Sequence, residues 1–352
     1  MSDKNLDNQN PNPDYLLEAQ DLKVTFRVPG GKKLHAVDKI SLGVRPRETV
    51  GLVGESGSGK STVALTLMRA HEPEGGKIIF GGQDITHLDQ KGLMPIRKRL
   101  QIVFQDPYSS LDPRWSIRRV ISEPLKAHRY GSRREINKRV EELLEQVGLP
   151  QDAADRVPSQ FSGGQRQRIA VARSLALEPE AIIADEPVSA LDVSIQAQII
   201  NLLRDLQDRL NIGLLVIAHD LALVHQISDR IIVMYLGEAV EEGPSDDLVG
   251  NPQHPYTVAL LSATPIPEPG GDRKRIVLTG DPPSPIYRPK GCRFHPRCPI
   301  ATERCTIEKP PYIEISKDRK VACWQAGEMD APRDLWALKD VPLPEGVESA
   351  KK

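Results

Sequence analysis

The chain contains 352 residues, which is enough for one large domain with a smaller one, or for two domains. Its 39% hydrophobic and 27% charged residues are typical of a globular protein that buries a core. The formal net charge of -1 argues against nucleic-acid binding, which requires clustered positive charge. No apolar run reaches the ~20 residues of a membrane-spanning helix, and residues 1–13 lack the apolar core of a secretory signal. We therefore expect a cytoplasmic protein that reaches a membrane only through a partner.

The first predicted elements form a strand and then a strand, loop and helix in succession. Residues 1–15 are polar and are predicted to be disordered. Alternating apolar residues predict a strand over 22–28, which a proline and two glycines end. The apolar run 49–53 predicts a short buried strand that leads into a glycine loop, and residues 60–68 have helical character.

The middle of the chain alternates buried strands with helices. Residues 118–147 are charged and predicted to be mostly helical, with breaks at Pro124 and Gly131. Further apolar runs predict strands at 101–104, 181–184 and 214–218. Such runs, alternating with helices, indicate an α/β fold whose largely parallel sheet is covered by helices on both faces.

The phosphate loop (residues 54–61) follows the first buried strand. It matches the pattern G-x-x-x-x-G-K-[ST] and consists of Gly54, Glu55, Ser56, Gly57, Ser58, Gly59, Lys60 and Ser61. The glycines allow backbone N–H groups to face phosphate oxygens, and the helix that follows adds its positive end. Lys60 would reach the β- and γ-phosphates and Ser61 would bind Mg²⁺. The alternative, a chance glycine-rich turn, is weak because strand, spacing and helix agree.

An acidic pair ends the apolar run 181–184. Asp185 and Glu186 fall where parallel sheets bind ligands, at the carboxyl end of a strand. Asp185 is placed to hold Mg²⁺, and Glu186 is placed to polarise an attacking water. Without the phosphate loop, a solvated acidic turn would be the better interpretation.

The tetrapeptide Ser162-Gly163-Gly164-Gln165 fits a capping box at the start of a helix that runs to about residue 177. A glycine-flanked helix start with free N–H groups is also a second anion site. Taken alone, the tetrapeptide would be an ordinary helix cap.

The four cysteines all lie in the last fifth of the chain. Cys292, Cys298, Cys305 and Cys323 are separated by five, six and 17 residues. Four thiolates are the ligands of an iron–sulfur cluster or of a Cys₄ zinc site. Structural zinc prefers shorter spacings, so we rank a cluster first, Zn²⁺ second and free thiols third.

The order of these motifs resembles that of the ATPase domain of ABC transporters. In chain order the motifs are the phosphate loop, Gln105, Phe161 to Gln165, Asp185-Glu186, Ser189 to Asp192 and His219. The resemblance implies an α/β, P-loop NTPase fold of the ABC type with a helical subdomain at about 106–178. It also implies ATP and Mg²⁺ as ligands.

The resemblance implies a role for each matching residue. Gln105 senses Mg²⁺ and the membrane partner, His219 contacts the γ-phosphate, Asp192 closes the D-loop, and Phe26 stacks on adenine. Glu186, His219 and Gln105 form the implied catalytic set. The implied nucleotide-binding set comprises Phe26, Gly54, Glu55, Ser56, Gly57, Ser58, Gly59, Lys60, Ser61, Thr62, Gln105, Ser162, Gly163, Gly164, Gln165, Asp185 and Asp192, with Ser61, Gln105 and Asp185 around Mg²⁺.

The C-terminal part narrows the resemblance. Residues 251–263, Pro283 to Pro285 and the cysteines are similar to the C-terminal region of dipeptide and oligopeptide importer ATPases, more of the second (F-type) subunit than of the first. Some members of that family are thought to hold a [4Fe–4S] cluster here, and all four cysteine positions match. The implied division is an ATPase domain over 16–243, a Pro-rich, Cys-containing domain over 244–325 and a tail over 326–352.

The resemblance also implies partners and a location. Two ATPase domains form a sandwich in which each signature, Ser162 to Gln165, completes the opposite phosphate site. A paralogous second ATPase subunit, two transmembrane permease subunits and an extracytoplasmic binding protein would complete a peptide importer. The chain would then lie peripherally on the cytoplasmic face of the inner membrane. An ABC-type ATPase of DNA repair or ribosomes is disfavoured, because only 101 residues (162 minus 61) separate Ser61 from Ser162.

Overall fold

The computed structural model describes residues 14–106, 111–263, 278 and 280–326. The predicted disordered N-terminus and C-terminal tail lie almost entirely outside these residues. The helices are Lys60–Leu67, Gln90–Arg99, Ile117–Ala127, Arg133–Gln146, Gly163–Ser174, Val193–Leu210, Leu221–His225, Ser245–Gly250, Pro255–Ala263 and Glu303–Ile307. Within the described residues, the short 3₁₀ helices are Gln151–Asp155, Pro158–Gln160 and His295–Arg297.

Five parallel strands form the centre of the larger sheet. In spatial order they are Leu100–Val103, Ala181–Asp185, Gly213–Ala218, Thr49–Val53 and Arg230–Tyr235. All of these strands except Leu100–Val103 are buried at every residue, which explains why they appear in the sequence as continuous apolar runs. The strands predicted at 49–53, 101–104, 181–184 and 214–218 are therefore confirmed to within a residue or two.

The C-terminal part extends this sheet with antiparallel strands. Strand Glu238–Pro244 pairs with Arg230–Tyr235 on one side and with Arg319–Val321 on the other, and Ile313–Ser316 forms the edge. The sheet thus continues across residue 243, where the sequence predicts a domain boundary. The proline-rich composition does not predict the strands Ile313–Ser316 and Arg319–Val321.

A smaller antiparallel sheet packs beside the first. Its strands are Lys32–Val44, Leu17–Val28, Gly75–Phe80 and Gln83–Asp84, in that spatial order. The strand predicted over 22–28 begins earlier than expected, at Leu17. Gly30 and Gly31 turn the chain between the first two strands with φ of 80° and 72°, which favours glycine.

The helical region contains one correction. Pro124 does not break the helix Ile117–Ala127 but lies in its last turn, whereas Gly131 does separate it from Arg133–Gln146. Proline removes one N–H donor from the helix, and burial of Ile121 and Leu125 on its apolar face offsets that loss. In the part of the chain that the structure describes, no helix is both long and apolar enough to cross a membrane.

A buried carboxylate attaches the C-terminal part to the sheet. Glu241 has no exposed surface and accepts hydrogen bonds from the backbone N–H groups of Gln253 (2.8 Å) and His254 (2.9 Å). The Arg319 guanidinium donates a third bond at 3.0 Å. Burial raises the pKa of Glu241, and the Thr257 side chain, the two backbone N–H groups and Arg319 oppose the shift. Without this acceptor the two backbone N–H groups would be left buried and unpaired, whereas Arg319 would keep its bond to the Asn251 carbonyl at 2.8 Å.

Candidate nucleotide-binding site

The phosphate loop joins strand Thr49–Val53 to helix Lys60–Leu67 and leaves no room for side chains at two glycines. A Cβ atom on Gly54 would lie 2.2 Å from the Met234 carbonyl oxygen. Gly59 has φ 105°, and a Cβ there would lie 2.2 Å from the Ala36 carbonyl oxygen. These contacts explain why glycine is required at both ends of the loop.

Lys60 lies inside the loop with only 3% of its surface exposed. Its Nζ donates to the carbonyl oxygens of Gly54 (2.7 Å) and Glu55 (2.9 Å). Burial lowers the pKa of Lys60, and nearby carboxylates, of which Glu186 acts most strongly, oppose the shift. A buried ammonium held by neutral carbonyls is suited to receive an anionic phosphate.

Ser61 and Asp185 meet at the carboxyl edge of the sheet. The Ser61 hydroxyl donates to Asp185 Oδ1 at 3.1 Å. Burial raises the pKa of Asp185, the bond from Ser61 opposes this, and the Glu186 carboxylate adds to it. A carboxylate and a hydroxyl at this place have the oxygen chemistry that Mg²⁺ prefers.

The three residues of the predicted catalytic set converge. Gln105 Nε2 donates to Glu186 Oε2 at 2.9 Å, and His219 Nδ1 lies 3.6 Å from the same oxygen. Glu186 adopts φ 46°, a conformation that costs free energy for a non-glycine residue and is concentrated at functional sites. Its N–H donates to the Ile217 carbonyl at 2.8 Å, which joins it to the neighbouring strand.

The predicted signature forms a capping box. Gln165 N–H donates to Ser162 Oγ at 3.3 Å, and Ser162 N–H donates to Gln165 Oε1 at 3.0 Å. Between them, a Cβ on Gly164 would lie 2.4 Å from the side chain of Ile195. Among the described residues, no hydrogen bond joins this turn to the phosphate loop of the same chain.

Two other predicted residues lie apart from these groups. Asp192 precedes helix Val193–Leu210, but its side chain does not cap that helix. Phe26 is half-buried and packs edge-on against His71, with ring centroids 5.3 Å apart. The adenine-stacking role of Phe26 stays a prediction.

The four cysteines line one pocket. Cys292 N–H donates to the Cys305 carbonyl at 2.9 Å, which draws together the two turns that carry them. Burial raises the pKa of Cys292 to about 11 and that of Cys298 to about 12, and the neighbouring thiols add to both shifts. Four thiolates in one pocket would be the ligand set of a cluster or of a Cys₄ zinc site. In residues 14–106, 111–263, 278 and 280–326, however, no group of three or more His, Cys, Asp or Glu residues is arranged to hold a metal ion.

Sequence reasoning missed the contacts that the C-terminal part makes with the phosphate loop. Arg297 forms an ion pair with Glu55, and the Tyr256 hydroxyl accepts a hydrogen bond from the Glu55 N–H. These partners are 242 and 201 residues apart in the chain. No pattern in the sequence signals either contact.

Two families match this chain. The family described as "ABC transporter" matches residues 37–189, and the one described as "Oligopeptide/dipeptide transporter, C-terminal region" matches residues 240–305. Solved ATP-binding cassettes have the same fold. A dimeric cassette in a post-hydrolysis state with ADP and Pi matches at TM-score 0.60 and 31% identity, over 65% of this chain and 98% of that one. The cbiO1 protein of Clostridium perfringens, part of an ABC transporter complex, matches at TM-score 0.60 and 30% identity, over 67% of this chain and 91% of that one.

Curated relatives match nearly the whole chain. The oligopeptide transport ATP-binding protein AppF of Bacillus subtilis (strain 168) is 49% identical, over 89% of this chain and 98% of that protein. A probable peptide ABC transporter ATP-binding protein of Sinorhizobium fredii is 46% identical, over 99% of this chain and 98% of that protein. The chain belongs to the family of ABC transporter ATP-binding proteins, in the group that carries the oligopeptide/dipeptide transporter C-terminal region. It is an ABC-type ATPase that uses ATP and Mg²⁺.

Proposed function

We propose that this chain is the subunit that binds and hydrolyses ATP in an importer of dipeptides or oligopeptides. The observation that carries the proposal is the convergence of Gln105, Glu186 and His219 beside the phosphate loop. The C-terminal match to oligopeptide/dipeptide transporters and the printed names of the relatives support peptides as the cargo.

Each side chain has a defined task in ATP hydrolysis. Lys60 binds the β- and γ-phosphates, while Ser61 and Asp185 would hold Mg²⁺, which offsets the charge that develops on the phosphate oxygens. Glu186 accepts a proton from the attacking water. Gln105 orients the Glu186 carboxylate, and His219, which also lies beside that carboxylate, binds the γ-phosphate.

A second ATPase subunit completes the site. The capped turn from Ser162 to Gln165 presents helix N–H groups, and within the described residues it makes no hydrogen bond to its own phosphate loop. Val193, next to Asp192, is 82% exposed, which suits a surface that a second subunit covers. We propose that this subunit is a paralogue and that each signature faces the phosphate loop of the opposite chain.

The proposed assembly is an importer at the membrane. Two transmembrane permease subunits would dock on this chain near Gln105, and an extracytoplasmic protein would deliver the peptide. The chain would lie on the cytoplasmic face of the inner membrane as a peripheral, F-type subunit, in line with its similarity to AppF.

The test is purification of the intact complex through a tag on this chain, followed by reconstitution in proteoliposomes. We expect two permeases, a second ATPase and ATP-dependent uptake of radiolabelled peptides. A Lys60→Ala variant should assemble normally but neither bind ATP nor transport. Recovery of ribosomes or nucleic acid in place of permeases would overturn the importer assignment.

We further propose that the four cysteines hold a [4Fe–4S] cluster, with Zn²⁺ as the alternative. The four thiols share one pocket, and burial disfavours the free thiolate at Cys292 and Cys298, so a bound cation would offset the cost of ionising them. Protein prepared without oxygen should contain about four iron and four sulfide per chain if a cluster with this ligand set is bound. One zinc per chain would favour the alternative, and neither metal would overturn both.

A further inference from the structure

A short turn between two cysteines reaches the phosphate loop. Arg297 is the last residue of the 3₁₀ helix His295–Arg297 and immediately precedes Cys298. Its Nη1 and Nη2 donate to the two carboxylate oxygens of Glu55, at 2.7 Å and 3.1 Å. The Arg297 side chain is 7% exposed and that of Glu55 is 28% exposed. A two-point contact of this kind fixes the orientation of both groups. The Arg297 side of the contact is buried and the Glu55 side is partly exposed.

The turn that carries Arg297 is itself anchored. Arg293 donates to the Leu236 carbonyl at 2.5 Å and also pairs with Asp38 in the smaller sheet. The ring of Phe294 is buried against Tyr235 and Tyr256, with centroids 5.2 Å and 5.4 Å away. Arg297 therefore extends from a fixed support rather than from a free loop.

Glu55 is held at three points. Its N–H donates to the Tyr256 hydroxyl at 2.7 Å, and its carbonyl accepts from Lys60 Nζ at 2.9 Å. Its side chain completes the set through Arg297. Two of these three contacts come from the C-terminal part. That part therefore orients Glu55, the second residue of the phosphate loop, and places a positive charge beside its carboxylate.

The charge of Glu55 makes this contact important for ATP. A carboxylate in a phosphate loop repels the anion that the loop binds, and the repulsion grows as solvent is excluded. The guanidinium of Arg297 compensates that charge and turns the carboxylate toward the C-terminal part.

We propose that Arg297, supported by Tyr256, is a positioning residue for ATP, so that the cysteine-bearing C-terminal part sets the affinity of the phosphate loop for nucleotide. The proposal rests on the assignment of residues 54–61 as the ATP site. Arg297 acts through Glu55 and takes no part in the hydrolysis step.

The test measures equilibrium binding of a fluorescent ATP analogue and steady-state ATPase activity of the intact complex. Arg297→Ala should weaken ATP binding about 10-fold or more, because a buried charged partner is lost. KM should rise in parallel, while kcat at saturating ATP changes by less than about twofold. Arg297→Lys should restore part of the affinity. Arg304→Ala is the control: Arg304 pairs with exposed Glu308 and lies over the Trp324 ring, and neither contact involves the phosphate loop.

The mechanism is tested by combining substitutions. If Arg297 acts through Glu55, Arg297→Ala should have little further effect in a Glu55→Gln background. Unchanged affinity in Arg297→Ala, or an equal loss in both backgrounds, overturns the proposal. Lys60→Ala distinguishes a failure of the ATP-site assignment from a failure of the Arg297 proposal. If Lys60→Ala binds ATP normally, the assignment of residues 54–61 as the ATP site is wrong. If Lys60→Ala abolishes ATP binding while Arg297→Ala has no effect, only the Arg297 proposal is wrong. Should Arg297→Ala not fold, Arg297→Lys and Glu55→Gln carry the same comparison.

Discussion

The carboxyl edge of the central sheet and the cysteine-bearing C-terminal part are built in opposite ways. At the sheet edge, the proposed active side chains lie in short motifs or just after a strand of the central sheet, as Gln105 and His219 do. The C-terminal part acts through single side chains, Arg297 and Tyr256, that reach a distant loop. In our proposal the first region carries out ATP hydrolysis, and the second holds the phosphate loop in position.

The largest effect should follow from a change at the sheet edge. Glu186→Gln should lower ATP turnover by about 10²–10⁴-fold, because the water loses its general base. ATP binding should persist and trap two ATPase subunits together. Turnover by the purified complex and its size in the presence of ATP measure both effects.

Glu178→Gln is the control for that substitution, since Glu178 is 66% exposed and also has a positive φ. It should behave as the unsubstituted protein does. Normal turnover in Glu186→Gln would show that Glu186 is not the general base. The sheet edge and the C-terminal part could then no longer be contrasted as a catalytic region and a supporting region.

A substitution in the second region should affect stability instead. Glu241→Ala leaves the N–H groups of Gln253 and His254 buried without their acceptor, and it removes one of the two acceptors of Arg319, which keeps its bond to the Asn251 carbonyl. We expect a loss of about 3–5 kcal/mol in the free energy of unfolding. Chemical denaturation and protease cleavage after residue 244 measure this loss.

Glu314→Ala, an exposed acid on the edge strand Ile313–Ser316, should leave stability nearly unchanged. If Glu241→Ala were as stable as the control, the C-terminal part would not depend on this buried carboxylate.

The two regions also differ in how far the sequence predicts them. Ser61 and Asp185 are 124 residues apart, yet the sequence predicts that both lie around Mg²⁺, because each belongs to a recognisable motif that follows a buried strand. Arg297 and Glu55 are also far apart along the chain, but no sequence pattern around a single arginine predicts which residue it contacts. Distance along the chain therefore matters less than whether both partners lie in motifs.

The same contrast holds for the fold. Strands such as Thr49–Val53 are buried on both faces and appear as apolar runs. Strand Arg319–Val321 is three residues long, and it is a strand because it pairs with Glu238–Pro244 on one side and with Ile313–Ser316 on the other. The predicted break at Pro124 is wrong because helix propensity describes isolated helices, whereas burial of the apolar face stabilises the helix Ile117–Ala127.

A smaller effect should separate Gln105 from Glu186. Gln105 Nε2 orients the Glu186 carboxylate through a bond of 2.9 Å. Gln105→Ala should lower turnover about 10-fold, as expected for the loss of one hydrogen bond to a charged group. ATPase assays at saturating ATP measure it, with Gln101→Ala as control because the Gln101 amide bonds to the Arg97 backbone. A loss as large as that of Glu186→Gln would mean that Gln105 does more than orient.

The smallest predicted change in stability compares two helix caps that have the same geometry. Ser132 and Ser162 each form a capping box, with Glu135 and Gln165 respectively. Ser132→Ala and Ser162→Ala should each lower the free energy of unfolding by about 1 kcal/mol, because each exposes one helix N–H group. Only Ser162→Ala should also reduce ATP turnover, since its helix start would face the phosphates bound by a second subunit. Equal turnover in the two variants would make Ser162 an ordinary helix cap. The proposed sandwich of two ATPase subunits would then lose its support from this residue.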